Sequence, residues 1–160
     1  VDLGADANQV RLAGGAAGRR GGYDAEPGTV AVAEEVGSLL AQRGCVVVTG
    51  GRRGVAEAAS RGAVLSGGVT VGILPGTRRS EANPYVTVAV PTGLGETRNA
   101  LVVMDADAVI ALPGAYGTLS EIAHALLAGT RVVTVGDGWS IPGCVAATSA
   151  PEAVDAALAP

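Results

Sequence analysis

The residues of this sequence that could do chemistry fall in four glycine-rich segments: GGAAGRRGG at 14–22, GGRRG at 50–54, PGTRR at 75–79 and PGAYGT at 113–118. Each follows a short apolar run. Three carry an adjacent arginine pair: Arg19 with Arg20, Arg52 with Arg53, and Arg78 with Arg79. Glycine lets the backbone turn tightly, so that amides at the start of a following helix face an anion. Arginine adds a planar fork of donors that matches phosphate. In the second segment Gly50, Gly51 and Gly54 surround Arg52 and Arg53; in the fourth, Gly114, Ala115, Tyr116, Gly117 and Thr118 open the next helix. A single pair of arginines reads as solvated surface. Three pairs on one edge weigh toward a phosphorylated small molecule, held by amides, helix dipoles and guanidinium groups.

A second constellation lies close by in the same reading. Thr118 and Glu121 have the spacing of a capping box, in which each side chain satisfies a free amide at a helix start. Arg98, in PTGLGETRN, enters the helix before the fifth strand and faces the same crevice, so that Arg98 and Glu121 form a candidate catalytic pair. His124 follows Glu121 by one turn and reads as packing or surface. Asp105 and Asp107 read as turn residues, and Tyr116 as either a ring stacked on a base or a loop cover. A dinucleotide site is not expected. Ala13 stands where the G-x-G-x-x-G turn needs its first glycine, and the second strand ends in Thr49 and Gly50 rather than in an acid for a ribose hydroxyl.

Composition narrows the chemistry further. All 11 basic residues are arginine. A chain without lysine has no Walker-type phosphate loop and no internal Schiff base, so amine catalysis and pyridoxal phosphate in its usual attachment are excluded. The formal charge is −4 and the pI about 4.9, which leaves no general field for nucleic acid or an anionic membrane. His124 is the one histidine, and Cys45 and Cys144 lack metal-ligand spacing; no metal is expected, and a reduced cytoplasmic interior suits the thiols. The chain opens VDLGADANQV, unlike a secretory signal, and a first residue other than Met implies trimming. Apolar runs are strand-sized, far below the ~20 residues that span a bilayer.

In the elements that must hold these loops, short Val-rich runs alternate with Ala-rich stretches of helical period. With 160 residues, 48% of them hydrophobic and 2% aromatic, one domain over residues 1–160 is expected, its core built of Val, Leu, Ile and Ala. The alternation predicts an α/β, Rossmann-like doubly wound parallel sheet of about six or seven strands with helices on both faces. Strands are expected near Gln9 to Ala13, Cys45 to Thr49, Val69 to Leu74, Val86 to Val90, Ala108 to Leu112, Val132 to Val135 and Cys144 to Ala147. Helices are expected around Val32 to Leu40, over Val55 to Leu65, Glu96 to Met104 and Leu119 to Leu127, and from Pro151, with Gly44 and Gly129 as stops.

The order GGRRGVAEAA, GLGETRNALVV, ALPGAYGTLSE resembles the LONELY GUY (LOG) superfamily, formerly labelled possible lysine decarboxylases, with its signature P-G-G-x-G-T-x-x-E. The resemblance spans roughly residues 9 to 135. The G-x-x-E-x-R-N segment looks most like the bacterial uncharacterised branch and the related molybdenum-cofactor carrier. What the resemblance implies is a nucleotide-binding Rossmann-like protein that hydrolyses the N-glycosidic bond of a nucleoside 5′-monophosphate, releasing base and ribose 5-phosphate. The alternative is a non-catalytic carrier or sensor of a phosphorylated pterin such as molybdenum cofactor. It further implies Gly50, Gly51, Gly54, Gly114, Gly117 and Thr118 as phosphate and ribose contacts, with Arg98 anchoring phosphate or holding Glu121 ionised. No cofactor is implied, and a homo-oligomer is. Two positions depart from the pattern: Ala115 replaces the second signature glycine, where a Cβ would crowd a ligand or disfavour a positive φ, and Asn99 replaces a lysine.

Overall fold

The computed structural model describes residues 8–14 and 25–160. The first arginine pair, Arg19 with Arg20, therefore lies outside the described residues. Seven strands form one parallel sheet: β1 (Gln9–Ala13), β2 (Val46–Thr49), β3 (Thr70–Leu74), β4 (Val88–Pro91), β5 (Ala108–Ala111), β6 (Arg131–Val135) and β7 (Val145–Ala147). Five α-helices connect or follow them: α1 (Pro27–Gln42), α2 (Val55–Leu65), α3 (Asn99–Val103), α4 (Tyr116–Leu127) and α5 (Ala150–Ala157). The doubly wound α/β expectation thus holds, with all of its strands present and boundaries shifted by two residues at most.

The sheet order is β4-β3-β2-β1-β5-β6-β7, with every neighbouring pair parallel. From β1 the chain winds outward to β4, then returns beside β1 as β5 and winds the other way. Right-handed crossovers in opposite directions place their helices on opposite faces. On one face α1, α2 and α5 cover Val10, Leu12, Val47, Ile110 and Val133; on the other α3 and α4 cover Ala13, Val109, Ala111 and Val132. The reversal between β1 and β5 opens a crevice at their carboxyl ends, where ligands bind in such sheets.

Small residues set the helix packing. A Cβ on Gly37 of α1 would overlap the Ala59 carbonyl, and one on Gly62 of α2 would overlap that of Glu34. The two helices consequently touch along their backbones, and the Arg61–Glu34 ion pair and Ser38–Ser66 hydroxyl contact (2.7 Å) flank that seam. Abundant glycine is here a packing requirement, as the sheet-and-helix layering predicts. Gly44 and Gly129 both follow their helices at φ 74°, the left-handed stop expected of them. Ser149 caps α5 by accepting the Glu152 amide.

Two local expectations are corrected. The helix predicted over Glu96 to Met104 is divided into a 3₁₀ turn, Gly95–Arg98, and a short α3. Gly93 and Gly95, at φ 70° and 58°, set the path into that turn, and their amides bond the carbonyls of Gly76 and Pro75 at 2.9 Å. The Thr118–Glu121 capping box is not formed. The α4 helix starts two residues before Thr118, with Ala115 at its N-cap and no capping side chain, so both residues sit inside the helix, buried.

Candidate functional site

The strand β2 ends at Thr49, whose Oγ1 accepts the Gly51 amide at 3.1 Å and curls the chain back on itself. Gly51 has φ 73° and lies against Gly72 and Leu74 of β3, leaving no room for a side chain. Asn83, buried between β3 and β4, closes the turn from outside: its amide and Nδ2 donate to the Gly51 carbonyl at 2.9 and 3.2 Å, and Nδ2 also reaches that of Arg52 at 3.0 Å. Gly54 then forms the N-cap of α2 without a capping side chain. The first-turn amides of α2 thus lack a side-chain cap at the sheet's carboxyl edge. Arg52 is half-buried and Arg53 exposed.

Across the crevice, Arg98 is only 7% exposed. Its guanidinium lies beside Gly50, where a Cβ would stand 2.9 Å from Nη2. Nη1 donates to Oδ1 of Asn99, and Nε has no hydrogen-bond partner among the described residues. A buried cation with a spare donor is an incomplete arrangement, since such charges are ordinarily paired.

The first turn of α4 completes the edge. Asn99 Nδ2 donates to Ser120 Oγ at 2.9 Å, and Ser120 Oγ donates to the Gly117 carbonyl at 2.9 Å. Glu121, 6% exposed, takes the Gly14 amide as a backbone hydrogen bond, which joins the end of β1 to α4. Burial pushes the Glu121 carboxyl up to about 8, against the lowering influence of Arg98; Glu96 adds a smaller raising effect. Arg98 thus favours the ionised form of Glu121, as the expected role requires, but desolvation outweighs it and holds the carboxyl above its ordinary range. The ion pairs of the described residues, Arg43–Asp155, Arg61–Glu34 and Arg78–Glu81, do not include these two.

The structure thus places Gly50, Arg98, Glu121 and the Gly117–Thr118 turn at one edge. Ala115 has φ −93° and ψ −161°, extended backbone, so the position does not require glycine for its conformation and that part of the expectation is overturned. Tyr116 is 81% exposed and His124 is exposed. Arg78 and Arg79 point to solvent, Arg78 facing Glu81 at 3.5 Å, while the Pro75–Gly76 turn tethers the segment leading to Arg98. Sequence reasoning missed Asn83 and Ser120. Asn83 precedes Pro84 and reads as a turn residue, and only its burial reveals the clamp. On the α1 side of the same edge a cavity of about 450 Å³ opens between Thr29, Pro113 and Asp137.

Among the described residues no group of three or more His, Cys, Asp or Glu could hold a metal, and no helix is long and apolar enough to cross a membrane. Cys45 and Cys144 are both free thiols.

The doubly wound sheet, with its glycine turns at the switch-point edge, is that of a Rossmann-like α/β protein of the LOG-like SLOG superfamily. Within it, the chain belongs to the SLOG cluster4 family, whose model matches residues 12–157. It is 39% identical over 115 residues to an uncharacterised protein of Archaeoglobus fulgidus, covering 72% of this chain and 76% of that one. The structure of the molybdenum cofactor binding protein of Rippkaea orientalis superposes with a TM-score of 0.84 at 31% identity, over 95% of this chain and 96% of that one. The molybdenum cofactor carrier protein of Chlamydomonas reinhardtii gives a TM-score of 0.79 at 28% identity, over 94% of this chain and 95% of that one.

Proposed function

We propose that this protein binds a phosphorylated pterin such as molybdenum cofactor at the edge formed by Gly50, Arg98 and the start of α4, and carries it without turnover. The observation that carries the reading is the buried Arg98 guanidinium, with Nε unpartnered among the described residues and Nη2 turned toward Gly50. A phosphate would satisfy that guanidinium and the uncapped first-turn amides of α2 together. Arg52 and Arg53 flank the same turn, and Gly114 to Thr118 form its opposite wall. Likeness over nearly the whole chain to a cofactor binding protein and a cofactor carrier supports the choice of ligand.

The phosphoribohydrolase reading is favoured by one observation, the nearness of Glu121 to Arg98 in a desolvated crevice. A carboxylic acid that retains its proton at pH 7 can donate it to a departing base. One experiment separates the two. The protein is incubated with molybdopterin and with adenosine 5′-monophosphate, passed through gel filtration, and assayed for retained ligand and for free ribose 5-phosphate. Retention of the pterin without ribose 5-phosphate supports the carrier, and release of ribose 5-phosphate that Glu121→Ala abolishes replaces it with the hydrolase. An outcome with neither retained pterin nor released ribose 5-phosphate sinks both. The acidic chain favours a small-molecule ligand over nucleic acid. A homo-oligomer in a cytoplasmic setting belongs to the same proposal, and light scattering reads the assembly.

A further inference from the structure

Arg98 and Glu121 pose a physical puzzle. Both are buried, and they lie close enough for the guanidinium to act on the carboxyl, yet they do not form an ion pair. A long, free arginine beside a buried carboxyl gains by swinging onto it, since that pairs two costly groups at once. Something must hold the guanidinium off. The one side chain that engages it among the described residues is Asn99, whose Oδ1 accepts Nη1.

Asn99 is itself immobilised. It is 4% exposed, at the first position of α3, and its Nδ2 donates to Ser120 Oγ at 2.9 Å, with the Gly117 carbonyl at 3.5 Å. Ser120 in turn donates to that same carbonyl. The amide's orientation is therefore dictated from the α4 side: Nδ2 faces α4, which leaves Oδ1 to face Arg98. On the far side of the guanidinium, Gly50 supplies the space that Nη2 occupies.

We infer that Asn99 is a positioning residue, which holds the Arg98 guanidinium apart from Glu121 and open to an anion. It carries no charge, so it satisfies one guanidinium N–H without neutralising the cation. An aspartate at 99 would keep an acceptor facing Arg98 and cancel its charge, while losing the Nδ2 donor to Ser120. The inference rests on the proposed anion site for its purpose, but the separation of Arg98 from Glu121 is a property of the free protein and can be read without ligand.

The experiment uses the full chain as wild type, Asn99→Ala and Asn99→Asp, with ¹³C-labelled glutamate and the Glu121 resonance assigned through Glu121→Gln. The Glu121 midpoint is read by NMR, and affinity for adenosine 5′-monophosphate and inorganic phosphate by calorimetry. In Asn99→Ala, Arg98 settles onto Glu121, the midpoint falls by at least about one unit and affinity drops about 10-fold or more. Asn99→Asp, which keeps the side-chain shape, leaves the midpoint at or above its wild-type value while affinity drops by a similar factor. A Glu121 midpoint in Asn99→Ala that stays at or rises above that of wild type overturns the inference. Should the alanine variant fail to fold, Asn99→Asp decides, and wild-type affinity there overturns it. If wild type binds neither probe, the anion site is rejected, while the Glu121 midpoint still tests the positioning.

Discussion

The guanidinium of Arg98 occupies the space in which Gly50 would carry a side chain: a Cβ there stands 2.9 Å from Nη2. Gly50 is not among the glycines of positive φ, so its smallness serves the arginine rather than the backbone. Gly50→Ala should therefore fold, because the far end of an arginine yields easily, with a stability change under about 1 kcal/mol. Displacing the guanidinium should weaken adenosine 5′-monophosphate binding about 10-fold, which is ~1.4 kcal/mol. Calorimetry beside a thermal melt checks both, and unchanged affinity would detach Arg98 from the ligand.

Glu121 makes stability depend on pH with a defined sign. Its folded carboxyl is raised from 4.5 to about 8, so between these values the folded state keeps a proton that the unfolded chain releases. The stabilisation is fully present below about 4.5 and is lost as pH rises through about 8, with a slope of up to ~1.4 kcal/mol per pH unit. Urea unfolding at stepped pH should show the wild type weakening across this window. Glu121→Gln, which keeps a neutral polar group, should flatten that dependence. A wild-type curve that rises with pH there would mean that Glu121 is ionised in the fold.

The cations of this edge should divide into two grades. Arg98 is buried, and its loss removes charge-assisted bonds in a desolvated place, so Arg98→Ala should weaken phosphate-ligand binding by about 100-fold. Arg53 is exposed and Arg52 half-buried, so water and salt screen much of their pull. Replacing both by alanine should weaken binding only a few-fold and shrink its salt dependence. Titrations at low and at moderate ionic strength separate the grades, and identical losses for the two variants would refute the division.

How much of this was legible beforehand follows the range of the interactions. Strand alternation and helix stops are local, and Val46–Thr49, Val55–Leu65 and Gly129 appear as their neighbours in sequence dictate. The glycine turns were legible too, because a tight turn before a helix has a composition of its own. Contacts between distant segments were not. The Thr118–Glu121 spacing satisfies a local capping rule, and only the packing of α4 against β1 and α3 buries both residues and gives Glu121 the Gly14 amide. Asn83 reaches Gly51 across 32 positions and Asn99 reaches Ser120 across 21, so neither clamp leaves a mark in local pattern. Ala115 misled for the opposite reason. A family signature suggested a conformational need for glycine that the extended backbone at 115 does not have.

Gly51 gives the sharpest contrast with its neighbour. At φ 73° a side chain is strained by about 1–2 kcal/mol, and a Cβ would also press Leu74 Cδ2 at 2.7 Å and the Gly72 Cα at 3.0 Å. The Gly72 backbone cannot give way as an arginine tip can, because it is held in β3 between β2 and β4. Overpacking of this kind adds about 1–3 kcal/mol. Gly51→Ala should thus lose roughly 2–5 kcal/mol in urea unfolding, while Gly50→Ala, one position earlier, loses little. The affinities should rank the other way once corrected for the folded fraction, since the change at 50 strikes the guanidinium and the change at 51 strikes the scaffold. Two variants that unfold together would show that the turn yields as a unit, and that the Gly51–Gly72 contact is not what holds it.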